Sequence, residues 1–167
     1  TKMYVPDNNT GYVYQYSLST AFDVSSASYL NYYVSGVTAQ SMSFNNDGTK
    51  LFLLTANQIR EYTVSTAFDT SSTVSLTTYT SLSSQESSMT GFAFNNDGTK
   101  MFTVGYNNDK VYEYALSTAF DVSSSSLSYT DSLSISSQET APTDIRFNSD
   151  GTKMYITGNE GRDINEY

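Results

Sequence analysis

Phe94-Asn95-Asn96-Asp97-Gly98-Thr99-Lys100 occurs twice more, unchanged as Phe44 to Lys50 and with one serine, Ser149, as Phe147 to Lys153. An aromatic, three short polar turn formers, a glycine and then a fresh apolar run (Leu51-Phe52, Met101-Phe102, Met154-Tyr155) spell a tight hairpin. Asn and Asp bond their own backbone at such a turn, and glycine takes the positive φ that the return strand requires. The reading predicts positive φ at Gly48, Gly98 and Gly151. It argues against an EF-hand-like calcium loop, which needs acidic ligands at alternating positions and a distal Glu, because this stretch carries one carboxylate.

The three glycines stand 50 and 53 residues apart. Periods of this length belong to stacked supersecondary units, propeller blades among them, that cannot bury their faces alone. Each unit reads as four strands. Strand a precedes the hairpin (Thr90 to Phe94, Thr143 to Phe147) and strand b follows it (Lys100 to Gly105, Lys153 to Thr157). Strand c is an alternating run, Val111-Tyr112-Glu113-Tyr114 and its copies from Val13, Ile59 and Ile164, and strand d is Ser/Thr-rich, near Leu127 to Ile135. The expectation is an all-β chain of β-propeller-type repeats of about 50 residues with four-stranded antiparallel blades. The blades fall at 1–37 (partial), 38–88, 89–140 and 141–167 (partial), in one repeat domain. A closed ring has about four to eight blades. With three-stranded end units, the chain reads as an open sector of a larger propeller, completed by other blades or by copies of itself. No window has helical periodicity beyond a turn.

Between strands c and d, Ser19-Thr20-Ala21-Phe22-Asp23 recurs as Ser65 to Asp69 and Ser117 to Asp121. An identical aromatic in three polar loops predicts that Phe22, Phe68 and Phe120 are buried anchors in the seams between blades. Asp23, Asp69 and Asp121 are expected to cap backbone amides of the following turn. Gln15, Glu61, Glu113 and Glu166 share one strand c position, which suits a structural hydrogen bond to a neighbouring strand. Asp144 and Arg146 stand where the sister unit has Gly91 and Ala93; two apart in a strand, they face one way and are expected to pair.

Composition narrows function. There is no cysteine, hence no disulfide or thiolate metal site, and no histidine, the commonest general base and metal ligand. Seventeen acidic against eight basic residues give a net charge of −9, unsuited to a phosphate backbone, so no nucleic-acid partner is expected. No apolar run approaches the length of a membrane span.

The sequence Phe-Asn-x-Asp-Gly-Thr-Lys, followed by an aromatic strand, a Val-Tyr-x-Tyr strand and Leu-Ser-Thr-Ala-Phe-Asp, resembles repeats of bacterial and phage β-propellers of the YVTN or lactonase-like type. The likeness runs over essentially the whole chain. It implies the propeller fold and leaves function open, since such repeats serve enzymes, binding scaffolds and surface proteins. In that family the turn commonly has Pro where this chain has Asn46, Asn96 and Ser149. Nothing here matches a catalytic signature, so no active-site residue, metal ligand or cofactor is carried over.

In a four-stranded blade the a–b and c–d connections share one face, and the b–c and d–a connections share the other. The first pair is nearly identical among the units, whereas the second varies in length and content. Function on repeat scaffolds sits on variable loops. The candidate ligand residues are therefore Asn8, Asn9, Asn57, Tyr106, Asn107, Asn108, Asp109, Gln138 and Glu139, whose chemistry suits sugars or a weak oxygen-ligand cation site. The resulting expectation is a non-enzymatic structural or binding module of an exported, cell-surface or virion protein, engaging a glycan or a surface protein. The alternative is a sector of a lactonase-like or sugar-directed hydrolase whose active site lies in blades absent from this chain.

Overall fold

A computed structural model describes residues 1–167 as fourteen strands in four antiparallel sheets. The first sheet holds β1 (Lys2–Pro6), β2 (Tyr12–Leu18) and β3 (Ala27–Val34). The second holds β4 (Ser41–Phe44), β5 (Lys50–Leu54), β6 (Gln58–Val64) and β7 (Val74–Ser81). The third holds β8 (Met89–Phe94), β9 (Lys100–Gly105), β10 (Lys110–Leu116) and β11 (Leu127–Ser134), and the fourth β12 (Pro142–Phe147), β13 (Met154–Gly158) and β14 (Ile164–Glu166). Every sheet is a meander paired in chain order, and no sheet closes on itself. The one helical element is a 3-10 turn at Val24–Ser26.

The turns form as their residues dictate. Gly48, Gly98 and Gly151 have φ of 72°, 74° and 73°. Ahead of each, an aspartate braces the turn: Asp97 Oδ1 accepts from Thr99 N at 3.0 Å and from its hydroxyl at 2.6 Å, and Asp47 does the same with Thr49. Asp23, Asp69 and Asp121 likewise accept the amide two residues on, at 2.9 Å each.

The apolar core is divided into three slabs, one at each seam between successive sheets. Val13 meets Leu51, Leu53 and Tyr62 at the first; Phe52, Leu54 and Ile59 meet Phe92, Met101 and Tyr114 at the second; Val104 and Val111 meet Ile145 and Ile156 at the third. Alternation along a strand therefore serves two neighbours: Leu51 and Leu53 face the preceding blade, while Phe52 and Leu54 face the following one.

The seams are also hydrogen-bonded. The strand c position bonds the neighbouring strand b as expected, Lys50 donating to Glu61 and Lys100 to Glu113, and in the first two blades it also reaches the c–d loop of the next blade. Gln15 Oε1 accepts from Thr70 N at 2.7 Å and from its hydroxyl at 2.9 Å, and Glu61 Oε2 accepts from Val122 N at 3.1 Å. A bulge follows Gln15, Glu61 and Glu113 alike, marking the same place in three sheets. Lysines complete the joint: Lys50 Nζ pairs with Glu61 at 2.9 Å and donates to the Phe120 carbonyl at 2.7 Å.

Two of the three phenylalanines stack in the seams, but neither is buried as expected: Phe120 is half-buried and Phe68 is exposed. Phe68 and Phe120, both at positive φ, donate their N–H to the carbonyls of Gly48 and Gly98 at 2.9 Å, and their rings lie over those glycines. Phe68 packs against Phe44 and Phe120 against Phe94, at centroid distances of 5.4 and 5.2 Å. Phe22 departs furthest from the expectation: it is 95% exposed against 39% for Phe68. The ring requires an a–b hairpin of its own blade beneath it, and the first sheet has none.

Candidate functional site

On the variable face the loops brace themselves. Glu86 lies buried against Gly105, where a Cβ would meet the Ser88 carbonyl at 2.8 Å. Its carboxylate accepts from Ser88 N at 2.8 Å, Asn107 N at 3.3 Å and Asn108 N at 3.0 Å. The side-chain amides of Asn107 and Asn108 are tied to Ser87 Oγ at 3.0 Å and the Gln85 carbonyl at 2.8 Å. Tyr106 is exposed, and Asp109 turns the loop at φ 49°.

The device recurs one blade on. Glu139, a candidate ligand residue, is buried beside Gly158 and accepts from Ala141 N at 2.6 Å, so its carboxylate is turned into the protein to hold the loop. Gln138 is exposed next to Tyr167. Asn8 and Asn9 occupy the exposed β1–β2 turn, where Asp7 accepts from Asn9 N at 2.8 Å, and Asn57 lines a shallow cleft with Thr38 and Arg60. The candidates thus lie at the ends of successive blades. Tyr106 to Asp109 gather with Gln85 to Ser88, but no single pocket gathers all nine. Glu86 was not singled out from the sequence. Its signal is the joint presence of Glu86 with Gly105 and Glu139 with Gly158, where the second unit has Thr55.

The larger concavity is on the opposite face, a groove of about 680 Å³ along the innermost strands β4, β8 and β12. Half-buried Phe44, Phe94, Phe102 and Phe147 form its floor. Its rim is the row of a–b turns, linked blade to blade: Asn46 Nδ2 donates to the Asn96 carbonyl at 2.8 Å, and Asn96 Nδ2 to the Ser149 carbonyl at 2.7 Å. This gives the asparagine in place of proline a role, since proline has no donor to offer. Arg146 lines the groove, donating to the Phe92 carbonyl at 3.0 Å and pairing with Asp144 at 3.0 Å as expected. Burial pushes the Asp144 carboxyl up despite that pairing: desolvation outweighs the half-exposed guanidinium.

The turn aspartates go the other way. The hydroxyls of Thr49, Thr99 and Thr152 hold Asp47, Asp97 and Asp150 below the usual value, and the Ser71 hydroxyl chiefly, with its amide, Gln15 and Lys2, holds Asp69 at about 2. A carboxyl depressed on folding stabilises above its unfolded pKa and loses that contribution as pH falls toward its folded one. The melting temperature is therefore expected to drop as pH falls from 3.8 toward about 2, with Asp69→Asn flattening the drop. Protonation of Asp144 works weakly against it. A pH series of melting curves checks this; a flat profile across the window contradicts it.

No family model matches the sequence, and no curated protein matches it. Solved structures do match. A putative 6-phosphogluconolactonase from Bacteroides fragilis is 10% identical with a TM-score of 0.67, covering 99% of this chain and 46% of that one. A periplasmic gluconolactonase from Pseudomonas aeruginosa is 13% identical with a TM-score of 0.64, over 99% and 46%. The β-propeller domain of Cps50 from Myceliophteria thermophila is 15% identical with a TM-score of 0.61, over 98% and 51%. The chain thus spans about half the length of the structures it matches. At these identities the likeness is one of fold: four successive blades of β-propeller type.

Proposed function

We propose that the chain is a non-catalytic binding module that holds a carbohydrate in the groove along β4, β8 and β12. The observation that carries this is the groove itself, an aromatic floor with a rim of amides and one half-exposed guanidinium. Apolar sugar faces stack on aromatic rings, while hydroxyls bond planar amides and Arg. The carboxylates on its rim, Asp97 and Asp150, already brace their turns. An exported, cell-surface or virion setting accords with such a role. No helix is long and apolar enough to cross a membrane. The variable face, with Asn8, Asn9, Asn57, Tyr106 to Asp109 and Gln138, is the other location such a ligand would find. A second reading, a sector of a lactonase-like hydrolase with its active groups in other blades, is favoured by the two matched structures described as gluconolactonases.

Glycan-array binding followed by calorimetry tests the proposal. Ser149→Trp, which fills the rim, and Arg146→Ala are expected to weaken binding about tenfold or more, and the triple change of Tyr106, Asn107 and Asn108 to Ala to leave it within about twofold. The reverse pattern moves the site to the variable face. Binding to no glycan, together with turnover of an aldonolactone panel by a polypeptide that supplies the other blades but not by this chain alone, replaces this reading with the second.

A further inference from the structure

Two seams bring a strand c side chain onto the c–d loop of the next blade, on one plan but with different letters. At the second, Glu61 Oε2 accepts from Val122 N at 3.1 Å. At the first, both partners change together: strand c offers Gln15 and the loop offers Thr70. A carboxamide replaces a carboxylate, and the shape of valine returns with a hydroxyl on it. A carboxylate against an alkyl group is inert. A carboxamide against a hydroxyl is an electrophile against a nucleophile.

Thr70 Oγ1 donates to Gln15 Oε1 at 2.9 Å, and the two residues are 3% and 2% exposed. The amide carbon is one bond of about 1.23 Å beyond that oxygen, so hydroxyl and carbon stand within about 4 Å, close to the separation of about 3–3.5 Å from which attack proceeds. The surroundings match the charges that such an attack develops. Thr70 N donates to the same Oε1 at 2.7 Å, where an oxyanion would form. Gln15 Nε2 donates to Asp69 Oδ1 at 3.3 Å, which sets a carboxylate beside the nitrogen that must leave. Asp69, held ionised chiefly by the Ser71 hydroxyl, balances positive charge on that nitrogen. Its side chain is 26% exposed, so the leaving group departs on the solvent side.

We propose that Thr70 and Gln15 form an intramolecular ester that joins the first two blades covalently. Thr70 Oγ1 attacks Gln15 Cδ and makes the C–O bond, while the hydroxyl proton passes to Nε2. The Cδ–Nε2 bond then breaks with its electron pair on nitrogen, and ammonia leaves. Atoms balance without an oxidant, a reductant or water. At neutral pH the released ammonia takes up a proton and diffuses away, and burial keeps water from the ester. The bond spans 55 positions of the chain, a constraint on the unfolded state that a sequence without cysteine has no disulfide to supply.

Intact-mass measurement under denaturing conditions tests this, followed over days at neutral pH after synthesis. The parent is expected to end lighter than its encoded mass by one ammonia molecule. Proteolysis is expected to release one linked peptide containing both Gln15 and Thr70, which hydroxylamine, a reagent that cleaves esters and spares amides, then parts. Thr70→Ser keeps the hydroxyl and is expected to keep the bond. Thr70→Val and Gln15→Glu, which copy the pairing of the second seam, are each expected to fold and to stay at their encoded mass. The linked peptide decides the matter even where a variant does not fold. A parent that stays at its encoded mass, or an ammonia loss that persists in Thr70→Val, overturns the proposal.

Discussion

Glu61→Ala is expected to cost about 3 kcal/mol and Glu113→Ala less than about 0.5 kcal/mol, although the two residues share one position of the repeat. Glu61 is buried, and its two oxygens are committed to Lys50 at 2.9 Å and to the amide of Val122 at 3.1 Å. Removing it strands a buried N–H and a lysine whose remaining partner is the Phe120 carbonyl. Breaking a buried pair costs about 3–5 kcal/mol, and the lysine's partial exposure moves this case to the lower end. Glu113 pairs with Lys100 at 2.8 Å at the surface and receives no loop amide, which places it among exposed ion pairs of small net value. For a chain of this size the difference amounts to a fall of about 6–12 °C in melting temperature for Glu61→Ala, against one hard to resolve for Glu113→Ala. Equal losses in the two proteins would mean that the joint between blades is not where the carboxylate acts.

Gly98→Ala and Gly151→Ala separate backbone strain from packing in the same way. Both glycines sit at nearly the same φ, 74° and 73°, so each substitution carries the left-handed penalty of about 1 kcal/mol. Around Gly151 nothing lies within 4 Å of an added methyl, whereas at Gly98 that methyl would fall inside the Phe120 ring. The ring must leave its place over the turn, giving up Phe94 and Phe52 and the seam they line. Gly98→Ala is therefore expected to cost about 3 kcal/mol in urea unfolding and Gly151→Ala about 1 kcal/mol. If the two fall together, the phenylalanine contributes nothing to the turn.

Residues close in sequence were readable; those that meet across blades were not. The hairpins could be read because Asp97, Gly98 and Thr99 act on one another within three residues, and repetition made one reading serve three times. The Asp144–Arg146 pair was legible for the same reason. Gln15 and Thr70 meet across 55 residues and a seam, so their bond left only a weak trace, a polar residue in an otherwise aromatic strand. Asn96 stood out as a departure from proline, but its partner is the next turn's backbone, and a carbonyl has no letter in a sequence. Phe22 was misjudged because an identical block was assumed to have identical surroundings. Glu139 looked like a loop residue open to a ligand, and only the glycine beside it hinted that the side chain folds inward.

The bonds of Gln15 and Glu61 all run one way, from a strand of one unit to a loop of its successor. A unit of about 50 residues therefore carries a plug on one side and the matching socket on the other. Tandem duplication of the encoding segment inserts a module whose plug and socket already fit its neighbours, with no compensating change elsewhere. Such a gene can lengthen or shorten by whole cassettes through unequal recombination, and the number of blades becomes a quantity that selection can adjust independently of the chemistry within each one.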